Sequence, residues 1–195
     1  MKLVLASTSR IRGELLTKAG LAFDAVPPEV DESELKRASR GLAPGDLALS
    51  LAAAKAVSVA NRMPDALVIG ADQVLNFEGR AFDKPASQEA ARRQLLDLRG
   101  RGHVLETALC CARGSAVVWR YLDQATLTMR AFTDGFLDDY LRQMGPAVST
   151  SVGAYKLEGL GAQLFDTIEG DYFTILGLPL LPLLDFLRRQ GALAA

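Results

Sequence analysis

The sequence predicts an α/β fold, a single domain over residues 1–195 with two lobes. Three observations carry this. Short apolar runs of strand character alternate with stretches of helical periodicity. Two of the runs, Lys2–Ala6 and Ala66–Asp72, lead directly into hydroxyl or carboxylate residues. The stretch from His103 to Met129 is dominated by strand formers. A chain of 195 residues suffices for one sizeable core, and no linker is long enough to divide it.

The elements follow in order. Lys2-Leu3-Val4-Leu5-Ala6 is a buried strand, and Gly13–Lys18 continues from it as helix through Ser7-Thr8-Ser9-Arg10-Ile11-Arg12. Ala22–Val26 is a short strand, and Pro27–Ser33 an extended acidic loop. Pro44-Gly45-Asp46 opens a long helix, with Asp46 as candidate N-cap and Leu47, Leu51, Ala54, Val57 and Val59 as its apolar face, ending near Pro64. Ala66–Asp72 is a second buried strand that ends on an acid, and Asn76–Arg80 a small hairpin. Ser87 starts a helix. Val104–Ala112 and Ala116–Thr128 form two strands joined by Arg113-Gly114-Ser115. Thr133-Asp134 opens a helix that Gly145-Pro146 stops. Ser149–Gly161 reads as loop and short strand, Glu169-Gly170-Asp171 as a turn, and Pro179 begins the last helix.

Composition excludes several classes. Net charge is −1, so there is no general attraction to nucleic acid or anionic membrane, and any polyanionic ligand must be met by locally gathered cations. The most apolar stretch, Thr174–Leu187, is interrupted by Gly177, Pro179, Pro182 and Asp185 and is too short to span a bilayer. The N-terminal run is too short for a signal peptide. Cys110 and Cys111 are adjacent and would point to opposite faces of a strand, which disfavours a disulfide. A reducing cytoplasm is the expected compartment.

The junction after the first strand gathers the Ser7 and Ser9 hydroxyls, unpaired backbone N–H groups and a positive helix end, with Arg12 one turn inside. This suits a polyanion such as a nucleoside triphosphate; the alternative is an ordinary Ser9 N-cap with a solvated arginine. Asp72, at the expected carboxyl end of its strand, is a candidate general base or metal ligand, because an unpartnered carboxylate is costly to bury; the alternative is a solvated loop acid or a helix cap. Lys84 precedes Pro85 and is a candidate phosphate contact. Lys55, among alanines, either reaches a cleft or snorkels over its helix. Glu29, Asp31 and Glu32 offer hard oxygen ligands or an exposed acidic loop. His103, the sole histidine, is expected to order the turn after Arg99–Gly102. In Gly153–Gly161, Tyr155 is a candidate stacking residue and Glu158 a candidate acceptor for a base edge.

These pieces occur together and in order in one family. Leu5–Ser9 with Arg12–Leu16, Val30-Asp31-Glu32, Leu51–Ala56, Gly70–Val74, Lys84-Pro85, Gly100–His103, Gly153–Tyr155 and Gly177–Leu180 resemble the Maf-like nucleotide pyrophosphatases across nearly the whole chain. The resemblance implies a mixed twisted sheet with flanking helices in two lobes around a central cleft, and a homodimer. It implies hydrolysis of a nucleoside triphosphate to the monophosphate and pyrophosphate with a divalent cation (magnesium, manganese or cobalt), and no nucleic-acid or membrane partner. By the same resemblance Asp72 is the general base, Ser7, Ser9, Arg12, Lys55 and Lys84 contact phosphates, and Glu32 with Asp72 holds the metal. Ile11, Gln73 and Glu158 fall at the base-selecting positions. Gln73 and Glu158 match the branch that prefers 7-methyl-GTP; Ile11 stands where an aromatic is frequent, which removes a stacking surface. A dTTP/UTP preference, and a septation regulator without catalysis, are the alternatives.

Overall fold

The computed structural model describes residues 1–194. Strand β1 (Leu3–Ala6) is buried along its whole length because it has a parallel neighbour on each side, β2 (Asp24–Ala25) and β3 (Leu67–Phe77). Beyond β3 the sheet is antiparallel: β5 (Gly102–Arg113), β6 (Ala116–Met129) and β7 (Phe165–Glu169). β4 (Arg80–Phe82) hairpins back onto the end of β3. The sheet is mixed, as expected; its seven strands run in the order β2-β1-β3-β5-β6-β7, with β4 paired to β3 off this path.

Helices α1 (Arg10–Lys18) and α7 (Leu180–Arg189) cover one face of the sheet at the β1 end, around Leu5, Ile69, Leu109 and Phe186. The other face carries α3 (Pro44–Arg62). α3 lies very close to the strands because both surfaces are small-residued: Ala52, Ala56 and Ala60 meet Ala6, Val68 and Ala108. At Gly70 the approach is closest, since a Cβ there would stand 2.3 Å from the Ala52 carbonyl oxygen. At the far end of the sheet α4 (Gln88–Leu98) and α5 (Asp134–Met144) build a second core around Leu75, Phe77, Leu95, Leu105 and Tyr140. β3 and β5 run through both cores, which gives the two lobes. Cys110 and Cys111 are free and belong to opposite faces.

Several local expectations are corrected. β3 does not stop at Asp72 but continues to Phe77, because Asp72–Asn76 find a full antiparallel partner in Ala108–Val104. The acidic loop is shorter than expected: Asp31 accepts from the Glu34 N–H and caps α2 (Glu32–Ala38). Asp46 is not the cap of α3; Ala43 is, with Pro44 at the first helical position, and Asp46 lies in the first turn where its charge suits the helix end. Ser149–Gly161 holds no strand, only 3-10 turns at Gly145–Thr150, Val152–Ala154 and Leu160–Leu164. The strand of that region is β7, mostly exposed and lacking a clear apolar alternation, and a short helix α6 (Tyr172–Ile175) capped by Asp171 follows it.

Candidate active site

β1 pairs with β3 only as far as Gly70, and β4 begins pairing at Leu75. Ala71–Val74 therefore have no strand on that edge, and a cleft of about 700 Å³ opens there between the lobes. Every residue expected at the site lines it: Ser7, Ser9, Ile11, Arg12, Glu32, Lys55, Asp72, Gln73, Lys84 and Glu158.

One end is the β1–α1 junction. Ser9 takes the N-cap position of α1, yet its side chain makes no capping bond, so the ordinary-cap alternative fails. The Ser7 hydroxyl accepts from the Ser9 N–H at 3.1 Å. Arg12 is not solvated: Nε donates to the Gly177 carbonyl at 2.7 Å and Nη1 to the Ala71 carbonyl at 3.0 Å, the free edge of β3. Gly177 has φ 87°, and a Cβ on it would stand 3.3 Å from Nη2, so glycine lets the guanidinium lie against the backbone. Burial lowers the Arg12 pKa from its ordinary value, against the pull of Asp72 and Glu32.

In the middle, Lys55 joins two carboxylates. Its Nζ lies 2.5 Å from Asp72 Oδ1 and 2.8 Å from Glu32 Oε1. Lys55 thus aims into the cleft and does not snorkel. Burial raises the Glu32 pKa, but the bond and charge of Lys55, with Lys36 and Lys84, outweigh it and the net shift is downward. Asp72 stands mid-strand on the α3 face, and its partner explains how the sheet tolerates it. Lys84 is exposed on the loop after β4.

The other end carries Ile11, Gln73 and Glu158. Gln73 Nε2 donates to the carbonyls of Thr174 (3.0 Å) and Ile175 (3.1 Å) and to the Thr107 hydroxyl (2.9 Å). Two backbone carbonyls can only accept, so the amide nitrogen must face them, and Oε1 is left as the acceptor. Ile11 packs on the α1/α7 core, and Glu158 is exposed at the rim.

Two expectations fail here. Tyr155 lines the cleft but is 4% exposed and edge-on to Phe165, which leaves no open ring face for stacking. His103 makes no hydrogen bond to the Arg99–Gly102 turn among the described residues; it is buried in β5, with Nε2 2.7 Å from the Tyr155 hydroxyl. Burial pushes its pKa down to about 4, so it is neutral at physiological pH. Sequence reasoning also missed Lys36 and Lys156, both lining the cleft. Nothing in their local sequence marked them, since lysines are ordinarily solvated. With them the lining holds Arg10, Arg12, Lys36, Lys55, Lys84 and Lys156 against Glu32, Asp72, Asp83 and Glu158. This is the local surplus of cations that a chain of net charge −1 needs for a polyanion.

Fold and site together define an α/β protein with an interlobe cleft for a phosphate-bearing ligand, cationic at one end and acceptor-rich at the other. The Maf-like protein family matches residues 2–190, and the chain belongs to it. A nucleoside triphosphate pyrophosphatase of Granulibacter bethesdensis is 49% identical over 99% of this chain and 99% of its own. A 7-methyl-GTP pyrophosphatase of Rhizobium meliloti is 49% identical over 99% and 98%. A HAM1 protein from Coxiella burnetii superposes with TM-score 0.45 and 14% identity over 68% of this chain and 74% of its own, a likeness on which the fold assignment does not depend.

Proposed function

We propose that the protein hydrolyses a nucleoside triphosphate to the monophosphate and pyrophosphate, with 7-methyl-GTP as the preferred substrate. One observation carries this reading: Asp72, Lys55 and Glu32 converge in the same cleft as the α1 N-terminus and Arg12. The anhydride bond between the α- and β-phosphates breaks, and a water molecule supplies the new oxygen. Asp72 takes the proton of that water. Ser9, Arg12 and Lys84, with Ser7 ordering the turn, hold the triphosphate and offset its charge. Lys55 keeps two neighbouring carboxylates from repelling each other and stands ready to share its charge with phosphate.

Among the described residues no group of three or more His, Cys, Asp or Glu could hold a metal alone. The Glu32 and Asp72 pair still fits a hard divalent cation, because magnesium is commonly bound by one or two carboxylates plus water and substrate phosphates. When bound, magnesium, manganese or cobalt would supply neutralisation of the charge on the leaving pyrophosphate.

The substrate preference rests on Gln73 and Glu158. Both offer acceptors, which suits the N1–H and amino edge of guanine, and a carboxylate suits a cationic methylated base. The relative from Rhizobium meliloti carries that substrate in its name. A homodimer in the cytoplasm completes the proposal; among the described residues no helix is long and apolar enough to cross a membrane.

Pyrophosphate release is measured across 7-methyl-GTP, GTP, UTP and dTTP with magnesium, manganese and cobalt. Preference for UTP or dTTP would favour the pyrimidine branch, and tight binding without release under any metal would favour a non-catalytic regulator. Asp72→Asn is expected to abolish release while circular dichroism and light-scattering mass stay unchanged. Near wild-type turnover in that variant removes Asp72 from the role of base.

A further inference from the structure

The buried His103 is expensive and plays no part in the chemistry above. Among the described residues its Nε2 has one partner, the Tyr155 hydroxyl, and its buried Nδ1 has none. An apolar side chain would fill the space without an unpaired polar atom, so packing does not account for an imidazole. What the imidazole does hold is the segment Ser151–Glu158. That segment turns through two successive left-handed residues, Gly153 (φ 74°) and Ala154 (φ 62°). For Ala154 this conformation is strained. A Cβ on Gly153 would stand 2.6 Å from Leu75 and from the Tyr155 ring, so the turn is pressed hard against the core.

Three hydrogen bonds shape it: one closes the segment on itself and two tie it to the core. The Tyr140 hydroxyl donates to the Ala154 carbonyl at 3.0 Å. The Ser151 hydroxyl donates to the Tyr155 carbonyl at 2.6 Å. The His103–Tyr155 bond is the third, and the only one made by the Tyr155 side chain among the described residues. The segment lines the cleft at Ser151, Val152 and Tyr155 and continues along it as Lys156, Leu157 and Glu158. At Gly161 a Cβ would stand 2.4 Å from the Lys156 carbonyl oxygen, so the turn that follows is equally tight.

We propose that His103 is a positioning residue: through Tyr155 it fixes the strap that presents Glu158, and with it the base-reading end of the cleft. This rests on the reading of Glu158 as a base contact. The phosphate end is held by α1, α3 and β3, with no hydrogen bond to the strap among the described residues, so the two ends should respond differently. His103→Phe and Tyr155→Phe each remove the bond while keeping a ring. Losing one hydrogen bond of about 1 kcal/mol corresponds to about a fivefold effect.

The test measures KM and kcat, and in parallel the affinity for non-hydrolysable analogues of GTP and UTP and for tripolyphosphate. Tyr155→Phe is expected to raise KM for the preferred nucleotide about fivefold with kcat within about twofold, and to shrink the affinity ratio between the two analogues. Tripolyphosphate affinity should fall less than nucleotide affinity, since the strap carries one cleft cation, Lys156, and the other elements carry five. His103→Gln, which can still bond the hydroxyl, should restore the ratio relative to His103→Phe. If His103→Phe fails to fold, the ratio in Tyr155→Phe decides alone. An unchanged ratio, or equal weakening of nucleotide and tripolyphosphate, overturns the positioning role. If the wild type discriminates between the analogues but releases no pyrophosphate, the proposed activity falls while the positioning role is still judged on affinities.

Discussion

Lys55→Met isolates the electrostatic centre of the cleft. Methionine keeps the length and volume of the lysine stem, so the substitution removes a charge without opening a cavity. In the wild type the Lys55 side chain is 10% exposed and Asp72 12%, whereas Glu32 is 48% exposed. Without the ammonium, Glu32 can turn to water, but Asp72 is left in mid-strand without its hydrogen-bonded partner, compensated in part by the Arg12 charge. Breaking a buried pair from one side costs about 3–5 kcal/mol. Because Asp72 borders a solvent-filled cleft, the lower bound of about 3 kcal/mol is the better figure. For a chain of 195 residues each kcal/mol lowers Tm by about 2–4 °C, so the expected fall is about 6–12 °C. Scanning calorimetry at neutral pH and fixed ionic strength reads it. The double variant Lys55→Met/Asp72→Asn removes both charges and should recover most of the loss. A single variant melting within about 2 °C of wild type, or a double variant no more stable than the single, would refute the reasoning.

Three other outcomes are expected. His103 is held at about 4 against an ordinary 6.5, so the unfolded chain binds a proton there that the folded chain does not. Stability should therefore fall as pH drops from about 6.5 to about 4, by at most about 3 kcal/mol from this group, and His103→Gln should flatten that slope in urea titrations; parallel slopes in the two proteins would contradict it. Gln73→Thr loses the donor to the Thr174 and Ile175 carbonyls, so besides altering base preference it should cost about 1–2 kcal/mol of stability, visible as a lower urea midpoint. Glu158→Gln keeps shape and loses charge; preference for 7-methyl-GTP over GTP should drop by about tenfold in kcat/KM, and an unchanged ratio would place the reading of the methylated base elsewhere.

Much of this site was legible in the chain because its parts are local. Ser7, Ser9 and Arg12 sit within one strand-to-helix passage, and the apolar run before Asp72 marked a buried strand holding a carboxylate. The remainder depended on contacts remote in sequence. Whether Lys55 reached a cleft or snorkelled was undecided until Asp72, 17 residues away, and Glu32 came within reach of it. Tyr155 carried the look of a stacking residue because nothing nearby announces that its hydroxyl meets His103, 52 residues earlier. β7 was invisible for a related reason. Four of its five residues are exposed, so it has no buried face to imprint an alternation, and only pairing with β6 makes it a strand.

Asp72 and Gln73 are consecutive residues on one strand, and the pleat sends them to opposite sides of the sheet. The acid engages α3 and the amide engages α6. Substitutions around the amide can thus rebuild the ground beside Gln73 while leaving Asp72 and its lysine untouched. A single peptide bond separates two surroundings that can vary independently.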